Sequence, residues 1–194
     1  GEDERQREKI FLDERLLLSP GMAVHESFNM ACAMASLAKD TVLDSLSIMQ
    51  KYDVNKAEAI KEGESELDTY EDKLGSFLVK AAACALNESD SRDVSKLLHS
   101  INDFERIGDH ALNIKNSADE MKGKALHFSA EAKDELGLLF RALNDVLSLS
   151  IDSFVNNDLE KAAHVEPLEQ VIDVLIGQIK RRHIERLQAG RCTI

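Results

Sequence analysis

The stretch NDFERIGDHALNI, residues 102–114, combines helical periodicity with charged residues at its centre. Its apolar residues recur at steps of three and four, the spacing of one helix face: Phe104, Ile107, Ala111 and Ile114. Between them stand four ionisable residues and a glycine: Glu105, Arg106, Gly108, Asp109 and His110. The stretch predicts a helix that packs on one face and carries an unusual concentration of polar groups beside that face.

The same periodicity continues over most of the 194 residues, from about Gly21 onward. Alternating β-branched and aromatic residues are absent, and there are only two prolines, so we expect an all-α protein. The pattern predicts five long helices: about 22–52, about 55–86, about 90–121, one that follows Ser129, and about 158–188. Short connections between helices of this length indicate antiparallel neighbours in an up-and-down bundle.

The second predicted helix places carboxylates on its apolar seam. The seam comprises Ala57, Ile60, Leu67, Leu74, Leu78, Ala81 and Ala85. Glu64 and Glu71 fall where its spacing calls for leucine, and Asp68 lies one turn from each. Three carboxylates near a core repel one another and resist loss of water. A cation that neutralises them, or basic side chains that pair with them, would let the fold keep them.

The third predicted helix repeats this arrangement, because Glu105 lies on its seam and Asp109 follows one turn later. Gly108 would let a neighbouring helix or a ligand approach closely. Together the two helices predict an oxygen-rich wall for a hard or borderline metal ion. The alternative is a metal-free helical scaffold, since such pairs are common on solvated helix faces. In that alternative, Arg106 would pair with Asp109 or with a carboxylate of the second helix.

An internal repeat relates the two halves of the chain. The segment ESELDTYEDKL, from Glu64, aligns with EQVIDVLIGQI, from Glu169, at an offset of 105 residues. Glu169 and Asp173 then correspond to Glu64 and Asp68. We predict two three-helix units, over 22–122 and 129–190. The second unit would lack its third helix, because the counterpart of Glu105 would fall beyond Ile194.

Composition disfavours several functional classes. The formal net charge of −12 disfavours a nucleic-acid binder, which would show a basic face. No apolar run has the length of a membrane span. No histidine stands in a Glu-x-x-His motif, so a di-iron carboxylate enzyme is disfavoured, and no glycine-rich phosphate loop is present. We therefore expect a regulatory or interaction domain and no enzyme.

The run FERIGDHALNI resembles the signature of the PhoU family, whose two three-helix repeats each carry a Glu/Asp-x-x-x-Asp motif. The resemblance implies regulation of phosphate transport, and iron or zinc clusters in some members. It extends over about residues 22–188. The positions that match the repeated motif are Glu64, Asp68, Glu105, Asp109, Glu169 and Asp173, and we add Glu71 from the helical seam.

A narrower resemblance concerns the two ends of the chain. FLDERLLLSPGMA, residues 11–23, and RRHIERLQAGRCTI, residues 181–194, look like segments of bacterial sodium/phosphate cotransporter-like proteins. The resemblance implies a cytoplasmic C-terminal domain, with residues 1–21 as a charged linker from a membrane part. The leading Gly1 fits an excised fragment. Expected partners are the transporter membrane domain or a phosphate-signalling protein, and a second copy of the chain that covers an exposed seam.

Overall fold

The structure is a computed structural model that describes residues 12–192. Within this range it contains helices and no strand, which confirms the predicted all-α fold. A 3₁₀ helix, Glu14–Leu18, is followed by α1 (Pro20–Gln50), α2 (Val54–Ala82), α3 (Glu88–Gly123), α4 (Ala130–Asn156), the short α5 (Leu159–Ala162) and α6 (Val165–Gln188). Of the predicted linker 1–21, residues 1–11 lie outside the described range.

Local capping explains where several helices begin. The Asp53 carboxylate accepts hydrogen bonds from the backbone N–H groups of Asn55 and Lys56, at 2.8 and 3.1 Å, so α2 starts at the next residue. Ser129 caps α4 by accepting a hydrogen bond from the N–H of Ala132. Pro20 opens α1, where a missing N–H costs no helical hydrogen bond. These starts lie within two residues of the predicted ones.

The prediction of one continuous helix over 158–188 is wrong. Asp158 caps a single turn, α5, and a new helix, α6, begins at Val165. The cause is Pro167: in a continuous helix its ring would clash with the carbonyl of Ala163, four residues earlier, and it has no N–H to donate there. In the first turn of α6 the same proline is tolerated, because the first N–H groups of a helix have no intrahelical partner.

The chain divides into two compact units, Gly1–Asn116 and Ser117–Ile194, with the division inside α3. In the first unit, small residues of α1 allow close helix packing: Ala23, Ala31, Ala35 and Ala38 are all fully buried. They form a core with large residues of α2 and α3, among them Leu67, Leu74, Leu78 and Ile101. A Cβ at Gly63 in α2 would lie 2.5 Å from Thr41 Oγ1 in α1, so these helices nearly touch.

In the second unit α4 packs against α6. The buried apolar residues of these two helices include Ile151 and Ile172. Arg186, on α6, has a side chain only 7% exposed and forms two hydrogen bonds to Glu135 of α4, at 3.0 and 2.9 Å. Arg182 Nη1 adds a contact of 3.5 Å to Glu135 Oε1. This ion pair joins the start of α4 to the end of α6.

We expect Glu135→Gln to lower the melting temperature more than Glu185→Gln does. Glu135 is the partner of a buried guanidinium, whereas Glu185 makes an exposed 3.8 Å contact with Arg181. Hydrogen bonds from Arg186 lower the pKa of Glu135. Its stabilising contribution is therefore complete above the ordinary carboxyl pKa and is lost as pH falls through the lowered pKa. Thermal melts from pH 7 to pH 3 measure both effects, and equal shifts in the two variants would contradict the role of the ion pair.

Candidate functional site

Five of the seven predicted carboxylates come together where α2 and α3 pack, on what we call the carboxylate face: Glu64, Asp68, Glu71, Glu105 and Asp109. Both helices contribute carboxylates to the group. Charge repulsion acts between carboxylates of different helices as well as between carboxylates of the same helix. Glu64 and Asp68 of α2 both interact with Asp109 of α3, and Glu105 of α3 interacts with Asp68 and Glu71. The glutamates are half-buried and the aspartates are exposed.

Gly108 explains how the two helices bring these carboxylates together. A Cβ at this position would lie 2.6 Å from Leu67 Cδ1, well inside van der Waals contact. Leu67 is completely buried, and it lies between Glu64 and Asp68 on α2. Gly108 in turn precedes Asp109 directly. The glycine among the charges of α3 therefore makes room for a leucine of α2, and the carboxylates flank that contact.

The surroundings of the carboxylate face disfavour the charged forms of three of its side chains. Partial burial is the largest cause that raises the pKa values of Glu64, Asp68 and Glu105. Repulsion from neighbouring carboxylates raises these pKa values further. The Arg106 guanidinium, a suggested neutralising partner of Asp109, lies instead 3.9 Å from Asp103. The pKa values of Glu64, Asp68 and Glu105 are thus raised overall, and their charged forms are disfavoured.

The donor atoms of the carboxylate face suit a cation, because carboxylate oxygens bind hard and borderline metal ions. The side-chain arrangement is less complete. Between residues 12 and 192, no three His, Cys, Asp or Glu side chains gather closely enough to hold one ion. The carboxylate face thus offers oxygen donors and negative charge. To bind a metal ion, its side chains would have to rotate so that their oxygens converge on one point. Metal binding by these residues stays a prediction.

The remaining two predicted ligands lie in the second unit. Glu169 and Asp173 are exposed on α6, one turn apart on the same helix. They belong to a different compact unit from the carboxylate face. The predicted repeat that pairs them with Glu64 and Asp68 likewise stays a prediction.

Sequence reasoning missed the Glu135–Arg186 pair. A signal was available, since Arg186 follows Ile172 and Ile179 at seven-residue steps and so lies on the apolar side of α6. An arginine on such a side needs a buried acidic partner. Periodicity alone could not identify that partner, because Glu135 lies 51 residues earlier in the chain.

Comparison with known proteins agrees with the helical arrangement of the first unit. Residues 32–118 match the family model described as the PhoU domain. This region contains most of α1, all of α2 and the part of α3 that carries Glu105 and Asp109. Over these residues the chain is therefore similar to the PhoU domain, and the structure there is helical.

A curated relative extends this similarity. The phosphate-specific transport system accessory protein PhoU homolog of Clostridium acetobutylicum is 24% identical to the chain over 148 residues. The similarity covers 75% of this chain and 66% of that protein. No solved structure is significantly similar to the chain. Among residues 12–192, no helix is both long and apolar enough to cross a membrane.

Proposed function

We propose that the chain is a PhoU-like regulatory domain that acts in phosphate transport or phosphate homeostasis. The observation that carries this proposal is the match of residues 32–118 to the PhoU domain, which includes the whole carboxylate face. The name of the Clostridium acetobutylicum relative, an accessory protein of a phosphate-specific transport system, supports the same process. The domain acts by binding a partner and is not itself an enzyme.

The proposed setting is the cytoplasmic side of a membrane, as part of a sodium/phosphate cotransporter-like protein. The support is the resemblance of residues 11–23 and 181–194 to segments of such proteins. The partner is then the membrane domain of the transporter or a phosphate-signalling protein. Contact with the membrane is made only through the parent protein, and the negative net charge of −12 agrees with a partner other than nucleic acid.

The proposed cofactor is iron or zinc, held by the carboxylate face. Glu64 and Asp68 from α2, with Glu105 and Asp109 from α3, supply the oxygen donors, and Glu71 lies beside them. A bound cation would offset the repulsion that raises the pKa values at this face. Glu169 and Asp173 would serve a second site in the second unit. The cation would stabilise the α2–α3 contact around Leu67 and Gly108 on which the shape of the face depends.

Phosphate uptake by cells tests the regulatory proposal. Uptake of labelled phosphate is compared in cells with the chain present and with its coding region deleted, under high and low external phosphate. Regulation predicts that uptake in the two strains differs in its response to external phosphate. Equal uptake under both conditions would overturn the proposal. Purified protein incubated with phosphate esters gives the second measurement, since catalytic turnover would show that the domain is an enzyme.

Elemental analysis tests the metal proposal. We expect the untagged protein, purified without chelator, to contain at least one iron or zinc ion per chain, and Glu64→Gln with Asp68→Asn to lower that content. The matched control is Glu58→Gln with Glu62→Gln, two exposed acids one turn apart on the same helix. Metal content that persists in the first variant, or that falls equally in the control, would rule out these ligands. Either result would favour the second candidate, a metal-free interaction domain. That candidate is supported by the described residues, in which no three potential ligand side chains gather at one point.

The same pair of variants has an expected effect on stability. In metal-free protein at pH 7, Glu64→Gln with Asp68→Asn should raise the free energy of unfolding by a few tenths to about 1 kcal/mol, because it removes a solvent-screened repulsion. Raised pKa values mean that the carboxylates destabilise the fold at neutral pH. This penalty is relieved as pH falls through the raised values toward the ordinary carboxyl range. The stability of the wild-type protein should therefore rise relative to that of the variant as pH is lowered, and chemical denaturation at pH 7 and at pH 4 measures the difference.

A further inference from the structure

Helices α3, α4 and α6 end in the same way. Just after each helix stands a residue with a positive φ: Ala125 at 51°, Asn157 at 49° and Gly190 at 65°. The N–H of this residue donates to the carbonyl three positions earlier, and the N–H of the next residue donates to the carbonyl five positions before it. This is a common way to end a helix, and the residue with the positive φ is usually glycine and sometimes asparagine.

Of these three helix ends, that of α3 places an alanine at the position with the positive φ. A left-handed backbone brings the Cβ of an L-residue close to the following carbonyl oxygen, and glycine avoids this contact because it has no Cβ. Alanine is therefore disfavoured relative to glycine at such a position by about fivefold or more. Ala125 is exposed, so packing gives no reason for a methyl group at this position.

A glycine stands two residues before Ala125, inside the last turn of α3. Gly123 is the last residue of this helix, and its φ is not positive. A Cβ at Gly123 would meet no atom within 4 Å, so a close approach of another group does not explain the glycine. In a helix, glycine is less favourable than alanine by a factor of about two to five. The chain thus has glycine where alanine would suit the helix, and alanine where glycine would suit the turn.

Both of these costs disappear if α3 ends two residues earlier. In this shorter ending Gly123 has the positive φ, the two closing hydrogen bonds form two residues earlier, and Ala125 is free to adopt a negative φ. The longer ending, which the structure shows, keeps two more residues in the helix and an ion pair between Lys124 Nζ and Glu120 Oε1 at 2.5 Å. That pair is exposed, with both side chains more than 60% accessible, and so contributes little. The two endings are therefore close in free energy.

The ends of α4 and α6 offer no such alternative. The residue two positions before Asn157 is Val155, and the residue two positions before Gly190 is Gln188. A β-branched valine is especially unfavourable at a positive φ. At the end of α6, Gly190 already occupies the position that requires glycine. A second ending is therefore a property of the residues around Gly123 and does not follow from the shared hydrogen-bond pattern.

We propose that α3 has two endings, with the positive φ at Ala125 or at Gly123, and that the protein populates both. The shorter ending lengthens the connection to α4 from residues 124–129 to residues 122–129. Two residues released from a helix add roughly 4 Å of reach, because the rise per residue increases from about 1.5 Å to about 3.3 Å. A partner that binds the form with the longer connection more tightly would shift the population toward it. The proposal does not depend on phosphate regulation or on metal binding.

Nuclear magnetic resonance tests the two endings through the Cα chemical shift of Lys122, which is helical only in the longer one. Helix ends interconvert within about a microsecond, so the observed shift is a population average. Ala125→Gly should raise the ratio of the longer to the shorter ending by about fivefold or more, and Gly123→Ala by about tenfold or more. Both variants should move the Lys122 shift toward its helical value. Ala125→Val should move that shift in the opposite direction, because valine is worse than alanine at a positive φ.

The matched control is Asn157→Gly at the end of α4. It also places glycine at a positive φ, and Phe154 precedes it by three residues, as Lys122 precedes Ala125. The Cα shift of Phe154 should not move, because α4 has no second ending. A Lys122 shift that stays in place in both Ala125→Gly and Gly123→Ala overturns the proposal, since a helix with one ending cannot become more helical there. So does a Phe154 shift in the control as large as that of Lys122 in Ala125→Gly.

Discussion

Gly63→Ala should lower the free energy of unfolding by about 1–3 kcal/mol, the usual cost of overpacking a core. In an ordinary helix interior this substitution would stabilise the protein by about 1 kcal/mol. Here the added methyl group would lie 2.5 Å from Thr41 Oγ1 and 3.2 Å from its Cγ2. Thr41 is β-branched and only 5% exposed, and its hydroxyl donates to the Leu37 carbonyl at 2.7 Å, so it has little room to move. The measurement is denaturation by urea.

The control for this prediction is Gly75→Ala in the same helix. A Cβ at Gly75 would lie 3.6 Å from Ile101 Cδ1, an ordinary van der Waals contact. The substitution should therefore leave stability unchanged or raise it by up to about 1 kcal/mol. If Gly63→Ala and Gly75→Ala changed the free energy of unfolding in the same direction, the α1–α2 contact at Gly63 would not be as close as the structure shows.

Gly108→Ala should also destabilise the protein, by about 1–3 kcal/mol, because its methyl group would lie 2.6 Å from Leu67 Cδ1. Leu67 is completely buried and cannot swing into solvent. The matched control is Gly137→Ala in α4, where the nearest atom to the new Cβ is Nη1 of the Arg141 side chain at 3.8 Å. That variant should be neutral or more stable, and an equal loss in both would contradict the steric argument.

A double-mutant cycle identifies Leu67 as the partner of Gly108. Leu67→Ala alone should cost about 2–5 kcal/mol, since it leaves a cavity in the core. The double variant Leu67→Ala with Gly108→Ala should lose less stability than the sum of the losses in the two single variants. The smaller side chain at position 67 removes the clash, and the new methyl group at position 108 fills part of the cavity. Strict additivity would mean that the two positions do not touch. A separate measurement, the metal content of the Gly108→Ala variant, shows whether the carboxylate face depends on the contact between Gly108 and Leu67.

Much of the fold could be predicted from local patterns. The steps of three and four around Phe104 and Ile107 indicate a helix directly, because a period of 3.6 residues is a property of the backbone. The same period puts Glu64, Asp68 and Glu71 on one flank of α2 without any knowledge of its neighbours. The break before α6 escaped prediction because the apolar periodicity continues past it, while the effect of Pro167 falls four residues earlier, at Ala163.

The sequence by itself therefore determined the helical class of the protein and the carboxylate motifs along α2 and α3, since both follow from spacing within one helix. Only the tertiary structure decided that Gly108 accommodates Leu67, that Arg186 pairs with Glu135 and that Val171 and Val174 are exposed on α6. These relations join residues from different helices or depend on what covers a face. They are set by how side chains distant in sequence fill space together, which helical periodicity does not specify.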